Sequence, residues 1–283
     1  MYRNKFLPLL QSVCTANTKD VFSMAKQLGF SEFGKRGRKY VFKPGFSPTS
    51  PLVVCHADTV VKGGDGPHPF AYDKASDTVN SIALDDRLGV ACMFDAIQNK
   101  RGHLSKCAFL ICDDEEIGQS TAQVFDRDIA PNFLVELDRR GTDVVCYEYE
   151  SVLFSSLLTS VGFRVGQGSF SDICYLGEYG VCGFNVGIGY HNEHSDKCHA
   201  KLSDTQSQIA ILERFLSRFW SLRLDWEDTS YRSRPLRNDP YCTGNGSFID
   251  DDFEYDDEYE LWYNKTYKQN SADKLNFDDF PNF

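Results

Sequence analysis

The sequence predicts an α/β layer fold, with helices covering a largely parallel or mixed sheet. Three observations carry that expectation. Short β-branched or aromatic runs alternate with longer amphipathic stretches. Several apolar runs stop abruptly at His, Asp or Glu, the residues that α/β sheets place at the carboxyl ends of strands. The chain has 283 residues, 41% of them apolar and 14% aromatic, enough to bury a sizeable core.

The elements follow in chain order. Lys19 to Leu28 reads as a helix, Lys39 to Phe42 and Leu52 to Cys55 as strands, and Gly63 to Pro69 as a Gly/Pro-rich loop. Leu88 to Gln98 is a helix and Cys107 to Cys112 a strand. Thr121 to Phe125 is a short helix. Strands follow at Phe133 to Leu137 and Val144 to Tyr149, then helices at Ser151 to Val161 and Asp172 to Tyr179. A strand at Gly183 to Ile188 precedes the clearest helix, Ser203 to Leu224. Ser203 is its N-cap, and Ile209, Leu212, Phe215, Leu216 and Phe219 form its apolar stripe. No internal repeat is visible.

The formal net charge is -11, which disfavours nucleic acid and anionic membrane surfaces as partners. The charge is concentrated. Residues 239–283 hold twelve acids and three bases, so the rest of the chain is nearly balanced. The expected organisation is a catalytic body over residues 1–238 and an acidic aromatic tail over 239–283, disordered or docking on a protein partner or on the body. The opening apolar run, Phe6 to Leu10, is too short for a secretory core, and no run is long enough to span a membrane. Of the ten cysteines, Cys55, Cys107, Cys112 and Cys182 lie in or beside apolar strand-like runs and Cys92 on a helix-like stretch, with no Cys-x-x-Cys pair, which reads as free thiols in a reducing compartment. A cytoplasmic protein is expected.

Five segments carry chemistry: Cys55-His56-Ala57-Asp58, Leu84-Asp85-Asp86-Arg87-Leu88-Gly89, Asp113-Asp114-Glu115-Glu116-Ile117-Gly118, Glu136-Leu137-Asp138, and Gly189-Tyr190-His191-Asn192-Glu193-His194-Ser195. Each has a structural explanation alone, since Asp at a helix start is a good terminal residue. Four acids directly after a buried strand repel one another, and a cation relieves that repulsion. Together, the strand ends deliver nitrogen and oxygen donors suited to zinc, with manganese or cobalt possible.

The order His-x-Asp, Asp, Glu-Glu, Asp, His resembles the co-catalytic di-zinc exopeptidases, a superfamily that includes zinc aminopeptidases, peptidase T and the glutamate carboxypeptidases. The resemblance implies a three-layer α/β/α sandwich around a mixed, largely parallel sheet. It also implies two bound divalent ions. Carried over by position, His56 and Asp138 resemble ligands of one metal, with Asp58 steering His56. Asp85 resembles the carboxylate bridging both metals, and Asp86 a supporting group. Glu115 resembles the general base and Glu116 a ligand of the other metal. That metal's last ligand is His191 or His194, and His194-Ser195 is the better match. His68, His103 and His199 match no motif.

Asp138 and His194 are too close in sequence for the lid domain that many relatives insert there, so a compact branch of the group is expected. Loops such as 62–73 and 162–171 are then left to shape the pocket. Asp172 is either a substrate-amine contact or a helix-start Asp. The implied activity is hydrolysis of a peptide bond at a chain end, most simply as an aminopeptidase. An N-acyl amino acid deacylase, a glutaminyl-cyclase-like enzyme and an inactive metal-stabilised binding protein are the alternatives.

Overall fold

In chain order the helices and strands are α1 (Tyr2–Thr15), α2 (Thr18–Gln27), β1 (Ser31–Lys35), β2 (Arg38–Lys43), β3 (Leu52–His56), β4 (Ala71–Asp73) and β5 (Thr78–Asn80). Then come α3 (Leu84–Gln98), β6 (Ala108–Cys112), β7 (Leu134–Arg139), β8 (Val144–Val145), α4 (Val152–Val161), β9 (Gly183–Gly187), β10 (Tyr190–His191), β11 (His199–Lys201) and α5 (Leu202–Phe219). This is a computed structural model, and it describes residues 2–35, 37–60 and 67–226. The acidic segment 239–283 lies outside the described residues, as does the 61–66 part of the loop expected to shape the pocket.

Seven strands form the main sheet in the order β1-β2-β6-β3-β7-β9-β8. The central four, β6, β3, β7 and β9, are parallel, and the flanking strands are antiparallel. The central strands read as continuous apolar runs because both faces are covered: every residue of β3 and β6 is buried. Along β3, Val53 and Cys55 face the core shared with the α-helices, whereas Leu52 and Val54 face a smaller core. That smaller core is closed by 3-10 segments at Thr121–Val124 and Asp172–Tyr179. The result is three layers, one outer layer α-helical and the other largely 3-10. A second, antiparallel sheet has the order β10-β11-β5-β4.

Local chemistry sets the helix ends. Asn17 accepts a hydrogen bond from the Asp20 amide to start α2, and Ser151 accepts one from Phe154 to start α4. Arg87 is fully buried and donates from Nη1 to the carbonyls of Val13 (3.2 Å) and Ala16 (3.1 Å). It thereby satisfies acceptors at the end of α1 and ties that helix to the start of α3.

Several expectations are corrected. The expected strand Val144 to Tyr149 ends at Val145, because Tyr147 and Glu148 take left-handed backbone (φ 49° and 67°) that a strand cannot hold. α5 starts at Leu202 and ends at Phe219. Its N-cap position is Lys201, so Ser203 lies inside the helix. α1 was not expected. Its stripe of Phe6, Leu10, Val13 and Cys14 is buried despite Pro8 inside the helix. The described cysteines are all free, and among the described residues no helix is long and apolar enough to cross a membrane.

Candidate metal centre

β3 lies where the parallel strands reverse their order, with β6 on one side and β7 on the other, the usual position for a site in an open α/β sheet. His56 is its last residue and is fully buried. Its Nδ1 lies 3.1 Å from the Asp58 carbonyl and 3.4 Å from Asp58 Oδ1. Those contacts aim Nε2 inward, and Nε2 is buried without a hydrogen-bond partner. It lies 3.3 Å from Asp138 Oδ1 at the end of β7 and 3.4 Å from Asp85 Oδ1 in the first turn of α3. Asp58 Oδ2 accepts from the Glu116 amide at 3.0 Å, joining the loops after β3 and β6.

The other oxygen of Asp85 faces a second cluster. Asp85 Oδ2 is 3.2 Å from His194 Nε2, which is 3.1 Å from Glu116 Oε2. Two ligand groups therefore share one carboxylate: His56, Asp85 and Asp138, and Asp85, Glu116 and His194. Glu115 Oε2 lies 3.9 Å from His56 Nε2. His194, on left-handed backbone at φ 58°, meets Asp85 and Glu116, whereas His191 is exposed on β10. His68 is buried with Nε2 3.4 Å from Thr59 Oγ1, and His103 pairs with Glu213 at 3.2 Å.

Asp86 explains the rest of its motif. One oxygen accepts from the His56 amide (3.2 Å) and the other from the Gly89 amide (3.1 Å). A Cβ on Gly89 would fall 2.3 Å from Asp86 Oδ1 and 2.3 Å from the Leu137 carbonyl, so glycine is required where α3 crosses β7. The peptide between Asp85 and Asp86 is cis.

Some contributors were not singled out from sequence. The Tyr190 hydroxyl lies 3.3 Å from Asp85 Oδ1 and 3.2 Å from Asp138 Oδ1, so its one proton is shared between the clusters' carboxylates. Ser171 donates to Asp138 Oδ2 at 3.3 Å, and Asn185 accepts from the Asp138 amide at 2.9 Å. Ser171 brings the expected pocket loop 162–171 against the site. Beneath it, Glu136 accepts from the Asp172 amide at 3.1 Å, and both acids are buried. Asp172 opens a 3-10 segment and is fully buried, and neither of its carboxylate oxygens caps the segment's amides, so neither the helix-start reading nor contact with a substrate amine is favoured. Tyr190 stands beside His191 in the Gly189–Ser195 segment, but its contacts run across the fold, where local pattern does not reach.

Burial and mutual crowding shift the acids and imidazoles of the two groups. Burial, reinforced by Asp138, Asp172 and Glu116, pushes Glu115 well above the ordinary carboxylate value against the opposing pull of His56. Burial and the nearby Asp85 push Asp138 up to about 8, again against His56. Asp85 is held low despite burial by His194 and His56. Burial alone would lower His56, but Asp138, Asp58 and Asp85 outweigh it and raise that imidazole well above its usual value. His194 is pushed up to about 11 by its contacts with Asp85 and Glu116.

A divalent ion fits this arrangement on two counts. Nε2 of His56 is buried without a well-formed hydrogen bond and faces carboxylate oxygens of Asp138 and Asp85 that could share an ion with it. Ligands about 2.0–2.2 Å from a tetrahedral ion stand about 3.3 Å apart, and the four His-to-carboxylate distances in the two groups span 3.1 to 3.4 Å.

The family model described as M42 glutamyl aminopeptidase matches residues 67–146, a stretch containing Asp85, Glu115, Glu116 and Asp138. No curated protein matches the chain in sequence. Among solved structures, a tripeptidase from Staphylococcus aureus matches with a TM-score of 0.59 at 9% identity, over 76% of this chain and 98% of that one. A TET aminopeptidase from a marine-sediment Thaumarchaeota archaeon matches with a TM-score of 0.59 at 12% identity, over 77% and 97%. An aminopeptidase from the archaeon Desulfurococcus kamchatkensis matches with a TM-score of 0.57 at 11% identity, over 77% and 96%. These structures share the fold. With the family match across the acidic motifs, they bear out the resemblance to the di-metal exopeptidases.

Proposed function

We propose that this chain is a metal-dependent aminopeptidase, hydrolysing the peptide bond next to a free amino terminus. The observation that carries the proposal is Asp85 standing between two ligand groups, each with a His and a further carboxylate, with Glu115 beside them. His56, Asp85 and Asp138 would hold one divalent ion, and Asp85, Glu116 and His194 the other. Zinc suits these donors best, with manganese or cobalt as substitutes. Bound there, the ions would acidify a water and polarise the scissile carbonyl.

The chain's own residues do the rest. Glu115 takes the water's proton at a carboxylate oxygen and returns it to the departing amine. Asp58 fixes the His56 ring with Nε2 inward, and Tyr190, Ser171 and Asn185 hold Asp85 and Asp138 in place. The same proposal takes residues 1–238 as the catalytic body, 239–283 as an acidic segment for a protein partner, and the cytoplasm as the compartment. The free thiols of the described cysteines support that compartment.

The test is metal analysis joined to an assay of wild type and Glu115→Gln on aminoacyl, blocked peptidyl and N-acyl amino acid substrates. The proposal expects hydrolysis of substrates with a free amino terminus, lost in Glu115→Gln while metal stays bound. Preference for N-acyl amino acids would point to a deacylase. A metal-loaded protein inert on the whole panel would overturn the hydrolase reading.

A further inference from the structure

The second sheet carries a feature that the di-metal centre does not use. β10 and β11 pair antiparallel with His191 directly opposite His199. Side chains alternate across strands this short. Tyr190 and Ala200 turn inward and are buried, whereas His191 is exposed and His199 half-buried on the other face. The two imidazole centroids are 5.7 Å apart with their planes tilted by 33°. Two imidazoles on one ion, each nitrogen about 2.0–2.1 Å from it, place their centroids about 5–6 Å apart at tetrahedral or wider angles.

The shorter of two contacts at His199 favours the tautomer a metal needs. His199 Nδ1 lies 3.0 Å from the Lys197 carbonyl, which can only accept, so Nδ1 carries the proton and Nε2 keeps its lone pair. The Asn192 side chain, 3.5 Å from the same Nδ1, can turn its carboxamide oxygen to that proton. Carbonyl-anchored imidazoles are the arrangement that metal-binding histidines use. Opposed positions on adjacent strands also keep both rings on one face without a long loop to order.

We propose that His191 and His199 form a separate, solvent-facing site for a late transition-metal ion: zinc, nickel or copper(II), with water completing the coordination. These metals favour imidazole, and hard cations such as magnesium do not. With two protein ligands the site is weaker than the clusters around Asp85. It fills only when free metal is plentiful, and an ion there cross-links β10 to β11. Since Tyr190 lies on β10, occupancy would also steady the hydroxyl that holds Asp85 and Asp138. The site rests on the His pair alone and does not depend on the proposed peptidase activity.

Equilibrium dialysis of the full-length protein across a range of free Zn2+, with melting curves at each point, tests this. Wild type is expected to bind a weaker equivalent beyond those held at the di-metal centre, and its Tm is expected to rise with that step. His191→Gln and His199→Gln should each weaken that step about tenfold or more, with the tight metal retained and the metal-free Tm unchanged. The double variant should add little, as expected for one shared ion. His191 is exposed, so His191→Gln keeps the test readable if His199→Gln misfolds. The proposal is overturned if wild type shows no weaker step, or if that step survives His191→Gln unchanged. Failure of the di-metal reading would appear instead as loss of the tight equivalents, with the weak step still sensitive to His191→Gln.

Discussion

The two halves of the candidate centre are built differently. On one side, His56 and Asp138 close two central parallel strands: His56 is fully buried and the Asp138 side chain is 8% exposed. On the other, Glu116 lies in the loop after β6 with its side chain 6% exposed, and His194 stands in a turn with left-handed backbone and 54% of its side chain exposed. Asp85 belongs to both. Residues at the ends of packed strands inherit the rigidity of the core, whereas residues in exposed turns must be held by their own contacts. The account therefore expects a tight, structurally integrated half-site beside a looser one, joined through Asp85.

The largest expected effect tests the chemistry that both halves serve. Glu115→Gln should lower turnover by about 10²–10⁴-fold, the range of a general base, with both metals retained, read by steady-state kinetics alongside metal analysis. His56→Ala and His194→Ala should separate the halves. His56→Ala empties a fully buried position and should lower Tm as well as metal content. His194→Ala should release the outer metal and lower the metal-free Tm less than His56→Ala does, because only the contacts of a half-exposed side chain with Asp85 and Glu116 are lost. Equal Tm losses in the two variants would break the comparison. Gly89→Ala should cost about 1–3 kcal/mol, the range for forcing atoms into a packed interior, because its Cβ meets Asp86 and the Leu137 carbonyl. Chemical denaturation reads it, and the loss should fall first on the His56 half, whose amide Asp86 holds.

The smallest effect is a pH effect at the outer half. His194 is raised from its ordinary 6.5 to about 11 in the metal-free fold. Its pairing with Asp85 and Glu116 thus adds stability that is fully present below pH 6.5 and lost as pH rises through about 11. At neutral pH it holds a proton that a metal must displace. Zinc uptake should therefore release fewer protons per bound metal in His194→Gln than in wild type, measured by calorimetry in buffers of different ionisation enthalpy.

The difference between the halves also marks what was legible in the sequence. His56 and Asp138 announce themselves because an apolar strand stops at them, and a strand end is a local pattern. Glu115 and Glu116 stand out as density of charge. His194 is readable only by its order in a motif, where His191 competes with it, and the structure sets His194 rather than His191 beside Asp85 and Glu116. Tyr190, Ser171, Asn185 and the buried Glu136–Asp172 pair belong to long-range contacts that no window of sequence contains. The same limit applies to the fold. Long central strands were read closely, whereas β4, β5, β10 and β11, two or three residues each, are too short to carry a period. The expected strand beyond Val145 failed at Tyr147 and Glu148, whose side chains look strand-like but whose backbone turns left-handed. α1 was hidden by Pro8 and a short apolar run, although its buried stripe has helical spacing.

The most direct test of the central claim, that Asp85 joins two metal sites, is anomalous diffraction at the zinc edge from crystals of the zinc-loaded protein. The account predicts two peaks flanking the Asp85 carboxylate, one bounded by His56 and Asp138, the other by Glu116 and His194. A single peak at Asp85, or peaks that leave either His without a metal, would contradict it.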